Sequence, residues 1–501
     1  MNSQQKIGQL IKSIRERKSL TQSEFAKRLK TSQSAIARME AGRQNFSTQE
    51  LERISRALEN KIISIDQSID FKIEGGHKLK GEISTNPSKN GALGLLCASL
   101  LNKSKTILHG IPRIEEVFRL IEIFQSIGVT VVWKESQTIE INPPTNFNLK
   151  NLDQKSAAKI RSVLMMIGSL IHREKEFAIP HAGGCKMGNR TIEAHRHGLE
   201  MLGVKIKTLD SEYKVSIKKL RPANIVMYEM SDTASENLIM AASLIPGKTV
   251  IEFAPPNYQV QEVCFFLEKC GVKIEGIGTH VLTVHGVPEI NKVVEYTNSE
   301  DPIESMMLIS AALVTNSELL IKRCPIDFLK LELLKLSKMG LKIKLTEEYY
   351  SLNQRTKLVD IKILPSNLKA PKDKIHPLPY PGINTDNLPF FVPIATIASG
   401  RTLIHDWMWE NRAIYFTELN KLGADIALAD PHRVFINGPS KLVAAQIVCP
   451  PALRPAMIIF IAMLGAKGTS ILRNVYSIYR GYEEIAERLN KIGAKIEVIR
   501  N

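Results

Sequence analysis

Ser126-Ile-Gly-Val-Thr-Val131 is the first of six similar stretches in the 501-residue chain. The other copies are Met201-Leu-Gly-Val-Lys-Ile206, Lys269-Cys-Gly-Val-Lys-Ile274, Lys338-Met-Gly-Leu-Lys-Ile343, Lys421-Leu-Gly-Ala-Asp-Ile426 and Lys491-Ile-Gly-Ala-Lys-Ile496. Each copy follows an amphipathic helical pattern and precedes alternating apolar and polar residues. The glycine is therefore predicted to end a helix in the left-handed conformation before a strand begins.

The spacing of these glycines indicates what each copy belongs to. Successive glycines are 75, 68, 69, 83 and 70 residues apart, which is longer than the period of solenoid repeats. Most copies also have a β-rich stretch before the helix, such as Lys105–His109, Lys248–Glu252 and Arg401–His405. The repeat predicts six α/β units, each a small subdomain with sheet on one side and helix on the other.

Length and composition agree with several packed domains. A single core stops growing at about 250–300 residues, so a chain of this length is expected to form two or three domains. Hydrophobic residues make up 44% and charged residues 24%, as in ordinary globular proteins. The net charge of +16 favours anionic partners such as nucleic acid, nucleotides or phosphorylated metabolites.

No segment predicts export or membrane insertion. The N-terminal charges are not followed by an apolar stretch of signal-peptide length. The longest apolar run, Ala456–Leu464, is about half of the roughly 20 residues that a membrane-spanning helix needs, so it is predicted to be a buried helix. We expect a cytoplasmic protein.

The six cysteines lie far apart in the sequence. They are Cys97, Cys185, Cys264, Cys270, Cys324 and Cys449. None forms a CxxC motif or a Cys/His cluster with metal-ligand spacing, which predicts reduced thiols and no structural zinc.

Residues 5–60 predict four or five short helices around one small core. Thr21–Glu24 and Ser47–Glu50 fit the capping-box pattern, in which a hydroxyl and a carboxylate three residues apart satisfy free N–H groups at a helix start. Apolar residues recur at helical spacing throughout the segment.

The stretch Leu20–Leu29, followed by Thr31–Glu40 and Gly42-Arg43, resembles the Cro/repressor-type (XRE) helix-turn-helix family. The resemblance implies a domain over 1–65 that binds double-stranded DNA, and it nominates Gln33, Ser34 and Arg38 for base edges and Gln22 for a phosphate. The segment 1–60 carries 12 basic and 6 acidic residues, which suits phosphate contact. A helical docking module that does not bind DNA is the alternative. One such domain normally reads two half-sites as a dimer, so a homodimer is a further expectation.

Gly183-Gly-Cys-Lys-Met-Gly-Asn-Arg190 places a cysteine in a glycine-rich loop beside two cations. Such neighbours lower the pKa of a thiol and raise its reactivity. Within the six-unit framework the GGCxxGxR pattern resembles the mobile loop of the UDP-N-acetylglucosamine 1-carboxyvinyltransferase family, a branch of the EPSP synthase/enolpyruvyl transferases. Taken without that framework, an ordinary loop cysteine would be the more frequent explanation.

This resemblance implies an α/β fold, namely the two-domain enolpyruvyl transferase fold, an inside-out α/β barrel of six βαβ-type repeats with its active site between the domains. The helix-turn-helix would precede it as a small all-α domain. Domain I would comprise 71–88 plus 298–501, and domain II 89–297 with the Cys185 loop. No metal or organic cofactor is implied.

Motif by motif, the resemblance assigns the site residues. Lys89 and Asn90, at the start of an apolar helix over Ala92–Leu101, would bind phosphoenolpyruvate and the sugar nucleotide respectively. Cys185 would assist proton donation, and Asp386, in Pro381-Gly-Ile-Asn-Thr-Asp386, would accept the proton of the sugar 3′-hydroxyl. The catalytic residues would then be Cys185, Asp386 and Lys89. The arginines that would gather phosphate or carboxylate groups are Arg161, Arg190, Arg412, Arg454 and Arg480.

Five positions depart from the family pattern. The aspartate expected before Leu453-Arg454 is Ala452, and an Asp-Arg pair is Asp301-Pro302. A paired-glutamate turn appears as Asn257-Tyr258-Gln259, and Glu193 replaces an aspartate in the uridine-binding stretch. These changes bear on substrate identity and on catalysis.

Three functions follow as hypotheses. The first is transfer of the enolpyruvyl group of phosphoenolpyruvate to UDP-N-acetylglucosamine for peptidoglycan synthesis, with the helix-turn-helix giving autoregulation or dimerisation. The second is a transcription regulator whose degenerate transferase domain senses UDP-sugar. The third is an active transferase that uses a different nucleotide sugar.

Overall fold

The computed structural model describes residues 3–18, 20–42, 48–58, 69–181, 183 and 191–500. It divides the chain into two compact units, one of residues 1–68 with the C-terminal pair and one of residues 69–499. Among the described residues no helix is long and apolar enough to cross a membrane.

The first unit is helical. Its helices are α1 (Ser3–Arg17), α2 (Gln22–Arg28), α3 (Gln33–Glu40) and α4 (Thr48–Ala57). Thr21 and Glu24 form the predicted capping box at the start of α2, while Ser47 lies outside the described residues. A Cβ at Gly8 would lie 2.4 Å from the carbonyl oxygen of Met39, so a glycine at this position lets α1 approach α3 closely.

A buried ion pair joins α1 to α3 in this unit. Arg15 Nη2 donates to Glu40 Oε2 at 3.0 Å, and both residues are buried. The apolar core around it is made of Ile11, Ile14, Phe25, Ala26, Leu29, Ile36, Met39, Leu51, Ile54 and Leu58. These are mostly the residues that recur at helical spacing in the sequence.

The second unit alternates helices and strands. Its α-helices are α5 (Lys89–Ser99), α6 (Glu115–Ser126), α7 (Gln154–Ala157), α8 (Met166–Leu170), α9 (Glu193–Met201), α10 (Asp232–Ser243), α11 (Tyr258–Cys270), α12 (Pro302–Val314), α13 (Lys330–Met339), α14 (Phe391–Ile397), α15 (Leu453–Gly465), α16 (Tyr476–Tyr479) and α17 (Ile485–Asn490). Its 3-10 helices are Leu149–Asn151, Arg161–Met165, Ile326–Phe328, Leu388–Phe390 and Ala413–Leu422.

The strands are β1 (Ile69–Gly75), β2 (Glu82–Ser84), β3 (Thr106–His109), β4 (Thr130–Trp133), β5 (Ile139–Asn142), β6 (Glu176–Pro180), β7 (Val204–Thr208), β8 (Glu212–Ile217), β9 (Asn224–Val226), β10 (Gly247–Glu252), β11 (Lys273–Glu275), β12 (Val281–Gly286), β13 (Val294–Thr297), β14 (Leu319–Pro325), β15 (Lys342–Leu345), β16 (Tyr349–Tyr350), β17 (Lys357–Leu364), β18 (Gly400–His405), β19 (Asp425–Asp430), β20 (Arg433–Gly438), β21 (Gln446–Val448), β22 (Gly468–Arg473) and β23 (Lys495–Arg500).

Within the described chain these strands form six small sheets. Their strand orders are β13-β3-β5-β4, β6-β8-β7, β11-β12-β10-β9, β15-β17-β14-β2, β18-β20-β19 and β21-β22-β1-β23, and β16 also pairs with β17. Each sheet receives the strand that follows one of the six repeat glycines. The prediction of six α/β units is therefore confirmed.

All six repeat glycines have a left-handed backbone. Their φ angles lie between +84° and +103°, which a residue with a Cβ adopts only at a cost. One prediction is modified, because the segment before Gly423 is a 3-10 helix over Ala413–Leu422 rather than an α-helix.

Two apolar cores divide the second unit. We call lobe I the part whose core draws on residues 71–83 and 303–496, and lobe II the part whose core draws on residues 92–296. One residue crosses this division, since Tyr258 on α11 packs into the core of lobe I. The domain boundaries at 88/89 and 297/298 stay a prediction, which the two cores favour.

The chain passes between the lobes twice, and the two crossing segments pair with each other. Ser88 N donates to Ser299 O at 2.7 Å, and Asp301 N donates to Asn86 O at 2.9 Å. In lobe I the apolar run predicted to be a buried helix lies in α15, whose residues Leu453–Leu464 are all buried. We call the region where side chains of the two lobes meet beside these crossings the cleft.

Candidate active site

A partly buried carboxylate of lobe II joins two of the predicted site cations. Glu116, in the first turn of α6, accepts a hydrogen bond from Lys89 Nζ at 2.8 Å and from Arg480 Nη2 at 2.6 Å. Burial opposes ionisation of Glu116, but Lys89 and Arg480 hold its pKa below the ordinary value. The two cations that the sequence assigns to the substrates are thus gathered around one anionic position.

Local geometry places Lys89 there. Ser88 caps α5 by accepting a hydrogen bond from Gly91 N at 3.0 Å, so Lys89 is the first residue of the helix. The predicted helix over Ala92–Leu101 therefore begins three residues earlier and ends at Ser99. Gly481 lies against this lysine, since a Cβ there would be 2.4 Å from Leu453 Cδ2 and 3.3 Å from Lys89 Cδ.

On lobe I, Asp386 forms an ion pair with Arg454. Arg454 Nη2 donates to Asp386 Oδ2 at 2.9 Å, and Arg454 Nη1 donates to the hydroxyl oxygen of Tyr482 at 2.7 Å. Burial disfavours the charged carboxylate, but Arg454, with smaller contributions from Arg412 and Lys89, lowers the pKa of Asp386 to about 2. Asp386 is therefore ionised at neutral pH.

Arg412 is more deeply buried than its predicted role in binding a phosphate or carboxylate group requires. Its side chain is fully buried, with Nη2 donating to Asp406 Oδ1 and to Thr385 O, both at 2.8 Å. Nη1 is buried and has no hydrogen-bond partner in the described part of the chain. Most of the guanidinium thus supports the turn that carries Asp386, and one nitrogen remains for another acceptor.

Amides and carboxylates alternate on the lobe II wall of the cleft. Asn90 Nδ2 donates to Gln259 Oε1 and to the hydroxyl oxygen of Tyr258, both at 3.0 Å. Gln259 Nε2 donates in turn to Glu236 Oε2 at 3.4 Å. Asn90, the predicted sugar-nucleotide residue, is therefore held by one of the residues that depart from the family pattern.

The second departing amide holds another carboxylate. Asn257 Nδ2 donates to Asp232 Oδ2 at 2.9 Å, at the start of α10. Burial raises the pKa of Asp232 to about 6, with the Asn257 bond opposing this rise and Asp386 adding to it. Burial, together with Asp232, raises the pKa of Glu236 well above its ordinary value. Amides at 257 and 259 thus supply donors to two acids that have no cationic partner among the described residues.

The remaining departures lie at the starts of helices. Asp301 caps α12 through Ile303 N at 2.8 Å, and Pro302 occupies the first helical position, where its missing N–H costs nothing. Ala452 precedes α15 without a side-chain cap and is buried. Glu193 begins α9 and forms an ion pair with Arg196 at 2.7 Å.

Three further predictions concern the cysteine loop and its surroundings. Cys185 and Arg190 lie outside the described residues. Arg161 begins a 3-10 helix, and its Nη2 donates to Thr191 O at 2.7 Å, beside the loop. The cysteines at 97, 264, 270, 324 and 449 are buried, and burial raises the pKa of each thiol, so none of these five is a reactive thiolate.

Two residues of this arrangement were missed by sequence reasoning. Glu116 follows another glutamate at the start of a predicted helix, and Asp232 follows a serine at such a start. Both patterns usually mark helix N-termini alone. The amides at 257 and 259 were the available signal for Asp232. The loss of two expected carboxylates suggests that another carboxylate in the same region takes their place.

In the first unit, the residues predicted to contact bases lie together. Gln33, Ser34 and Arg38 are exposed on α3. Ser32 caps this helix by accepting a hydrogen bond from Ala35 N at 3.2 Å. Gln22, predicted to lie near a phosphate, donates from Nε2 to Glu40 Oε2 at 2.9 Å, which fixes it against the buried Arg15 pair.

Comparison with known proteins identifies the families that the two units match. Residues 73–489 match the family model described as EPSP synthase (3-phosphoshikimate 1-carboxyvinyltransferase), and residues 11–62 match a helix-turn-helix model. The UDP-N-acetylglucosamine 1-carboxyvinyltransferase of Treponema denticola is 35% identical over 430 residues, which are 86% of this chain and 99% of that protein. The protein of the same name from Bradyrhizobium diazoefficiens is 33% identical over 431 residues, 86% of this chain and 98% of that protein.

Solved structures share the fold. The enolpyruvyl transferase NikO from Streptomyces tendae superposes with a TM-score of 0.75 at 22% identity, over 87% of this chain and 100% of that chain. An EPSP synthase from Acinetobacter baumannii gives 0.67 at 17% identity, over 86% and 100%. Two lobes of small α/β units, with lysine and arginine gathered between them, place this protein among the enolpyruvyl transferases in its architecture. The chain belongs to the EPSP synthase family, with similarity over nearly the whole length of curated UDP-N-acetylglucosamine 1-carboxyvinyltransferases.

Proposed function

We propose that the protein transfers the enolpyruvyl group of phosphoenolpyruvate to the 3′-hydroxyl of UDP-N-acetylglucosamine and releases phosphate, the first committed step of peptidoglycan synthesis. The observation that carries this proposal is that Lys89 and Arg480 both donate hydrogen bonds to the Glu116 carboxylate between the lobes. A substrate with a phosphate and a carboxylate is suited to such a site. As part of the proposal the reaction takes place in the cytoplasm.

Each group has a role in the reaction. The hydroxyl oxygen adds to carbon 2 of the enolpyruvyl group while carbon 3 gains a proton, and the tetrahedral adduct then loses phosphate together with one proton from carbon 3. Lys89, Arg454 and Arg480 stabilise the anionic groups, since charged donors in a water-poor cleft are more effective than in bulk water. Asp386 accepts the hydroxyl proton, and Cys185 assists proton donation to carbon 3.

Glu116 has a consequence for binding. Its carboxylate holds Lys89 and Arg480 in the position that the substrate phosphate or carboxylate takes up. The cations are thereby preorganised before the substrate arrives. The incoming anion has to share or replace the bonds to Glu116.

Phosphate release tests the proposal. Purified protein receives phosphoenolpyruvate and UDP-N-acetylglucosamine together, and each is omitted in turn. Phosphate should appear only with both substrates, and Lys89→Ala and Cys185→Ser should each lower the rate at least about 100-fold. Lys103→Ala is the matched control, because that lysine is half-exposed and pairs with Glu289 on the surface. Equal rates in all three variants would refute the assignment.

A second candidate function is transcription regulation by a transferase unit that senses the UDP-sugar. Two observations favour it, namely Ala452 in place of the expected aspartate and the exposed residues Gln33, Ser34 and Arg38 on α3. The partner would be double-stranded DNA with two half-sites, bound by a homodimer.

Selection of DNA sequences with the full-length protein separates the two candidates. A regulator selects a two-fold symmetric site, loses it in Arg38→Ala but not in Lys12→Ala, and changes affinity when UDP-N-acetylglucosamine is added. Lys12 is an exposed control on α1, paired only with Glu16 among the described contacts. DNA binding that ignores the nucleotide, together with full turnover, would exclude the sensing role.

A further inference from the structure

Glu332 is a buried acid of lobe I to which the family resemblance assigns no role. It lies in the first turn of α13, with 2% of its surface exposed. No cation forms an ion pair with it among the described residues, and burial raises the pKa of its carboxyl, although hydrogen bonds from Asn387 and Asn384 oppose this rise. Burying a carboxyl group without a cation carries a desolvation cost, so its hydrogen bonds indicate why it is there.

These hydrogen bonds come from the segment that carries Asp386. We call residues 384–387 the aspartate turn. Glu332 Oε1 accepts a hydrogen bond from Asn384 N at 3.1 Å and from Asn387 Nδ2 at 2.9 Å. The two asparagines lie on either side of Asp386 in the sequence, so one oxygen of α13 holds both ends of the aspartate turn.

Asn384 passes this support on to Asp386 itself. Its Oδ1 accepts a hydrogen bond from Asp386 N at 2.9 Å. Its carbonyl oxygen accepts from Asn387 N at 2.9 Å and from Leu388 N at 3.1 Å. The backbone of Asp386 is therefore connected to Glu332 through two successive hydrogen bonds.

On its other side the aspartate turn is held by the two residues that fix Thr385. Arg412 Nη2 donates to Thr385 O at 2.8 Å, and Trp409 Nε1 donates to Thr385 Oγ1 at 2.9 Å. The aspartate turn lies outside the α-helices and strands, so side chains such as these fix its backbone. Glu332 supplies the support that comes from α13.

We propose that Glu332 is a positioning residue, which holds the Asp386 carboxylate where it accepts the proton of the acceptor hydroxyl. This inference rests on the proposed function and adds a residue outside the family assignment. A displacement of a reacting group by about 1 Å can cost about 100-fold in rate, even when the substitution is remote from the chemistry. A general base on a turn therefore depends on the residues that fix the turn.

Three substitutions of Glu332 separate the reach of its side chain from its charge, and phosphate release by the full chain gives kcat for each. Glu332→Gln keeps an acceptor oxygen at the same distance from the helix, so kcat should stay within about threefold of the wild type. Glu332→Asp keeps the carboxylate but is one methylene shorter, which should lower kcat about tenfold. Glu332→Leu removes the acceptor and should lower kcat about 100-fold.

Leu336→Ala is the matched control for damage to the fold. Leu336 is fully buried one turn further along α13, in the core of lobe I, and its side chain makes no hydrogen bond to the aspartate turn. The cavity left by this substitution should lower the urea midpoint at least as much as Glu332→Leu does. Its kcat should stay within about threefold of the wild type at a temperature where circular dichroism shows both variants folded.

A double-variant cycle tests whether Glu332 acts through Asp386. Once Asp386→Asn has removed the general base, its position no longer affects the rate. Adding Glu332→Leu to Asp386→Asn should therefore lower kcat by less than about threefold. A role confined to stability would instead lower kcat by the same factor with and without the Asp386 carboxylate.

Each outcome supports or overturns the proposal. The order Gln, Asp, Leu in kcat, together with the missing additional loss in the double variant, supports it. A Glu332→Gln variant as slow as Glu332→Leu, a Leu336→Ala control as slow as either, or a full additional loss beside Asp386→Asn overturns it while the proposed transfer stands. A wild type that releases no phosphate overturns the proposed transfer and with it the role of Glu332.

Discussion

On lobe I of the cleft Asp386 is held by the guanidinium of Arg454, whereas on lobe II Asp232 and Glu236 are held by the side-chain amides of Asn257 and Gln259. The cation lowers the pKa of Asp386 to about 2, although burial opposes it. Asp232 has no cation at hydrogen-bond distance in the described part of the chain, and burial raises its pKa to about 6. The hydrogen-bond partner thus decides whether the pKa of an aspartate in this cleft lies below or above its ordinary value.

The contrast between the two lobes explains how the departures from the family pattern fit together. A glutamate at 257 or 259 would add charge to a wall that already carries two acids with no cation paired to them in the described ranges, and the amides avoid this. The loss of an aspartate at 452 leaves Arg454 to pair with Asp386 alone among carboxylates at hydrogen-bond distance in the described residues. In lobe I the carboxylate of Asp386 is paired with a cation, whereas in lobe II the carboxylates of Asp232 and Glu236 accept hydrogen bonds from amides.

The largest effect is expected from removing the cation. Arg454→Met leaves the partly buried Asp386 beside a methionine and Tyr482 without its donor, which should lower the free energy of unfolding by about 3 kcal/mol. Phosphate release should become undetectable. Urea unfolding monitored by circular dichroism measures the first effect. Arg433→Met is the control, because Arg433 forms an exposed pair with Asp430 and should leave the midpoint unchanged.

Removing the charge of Asp386 should have a smaller effect on stability. Its folded pKa of about 2 lies below the ordinary 3.8, so the charged pair contributes stability above pH 4 that is lost as the pH falls toward 2. Asp386→Asn should therefore cost about 2 kcal/mol at pH 7 and nothing near pH 2. The rate should drop about 1000-fold, as for a missing general base. A stability loss that is the same at every pH would contradict this explanation.

The same substitution on lobe II should have the opposite sign. The folded pKa of Asp232 lies above 3.8, so its ionisation weakens the folded state as the pH rises from about 4 to 6. Asp232→Asn should stabilise the protein by about 1 kcal/mol above pH 6 and leave it unchanged below pH 4. Thermal unfolding across this range checks the sign, with Asp210→Asn as control because Asp210 is exposed. Destabilisation at neutral pH would show that the two walls do not differ as described.

The sequence predicted local features better than the contacts of the cleft. The six glycines and the Thr21–Glu24 box were predicted correctly because helix ends depend on a few consecutive residues. Asp386 and Arg454 are 68 residues apart, and their pairing depends on how two units pack. The family pattern named both residues without indicating this bond.

Glu116 and Asp232 show the limit more clearly. An acid in the first turn of a helix is so frequent that its pattern carries no information about partners from another lobe. The role of Glu116 is visible only in the folded chain. There Arg480, which follows α16 and lies 364 residues later in the sequence, donates a hydrogen bond to it. Burial also changes the acidity of such groups, and burial at a cleft is a property of the whole fold.

The order of the strands also bears on how the chain is made. Lobe II is formed by one continuous stretch of the chain. Strand β1 of lobe I, in contrast, pairs with a strand about 400 residues later in the sequence, with Phe71 opposite Leu472. During synthesis from the N-terminus, lobe II is complete on the ribosome while β1 and β2 are still unpaired with their strands of lobe I. Folding of lobe I thus depends on strands that emerge about 400 residues after β1, and a ribosome that stalls before β22 leaves an exposed strand edge for chaperones to protect.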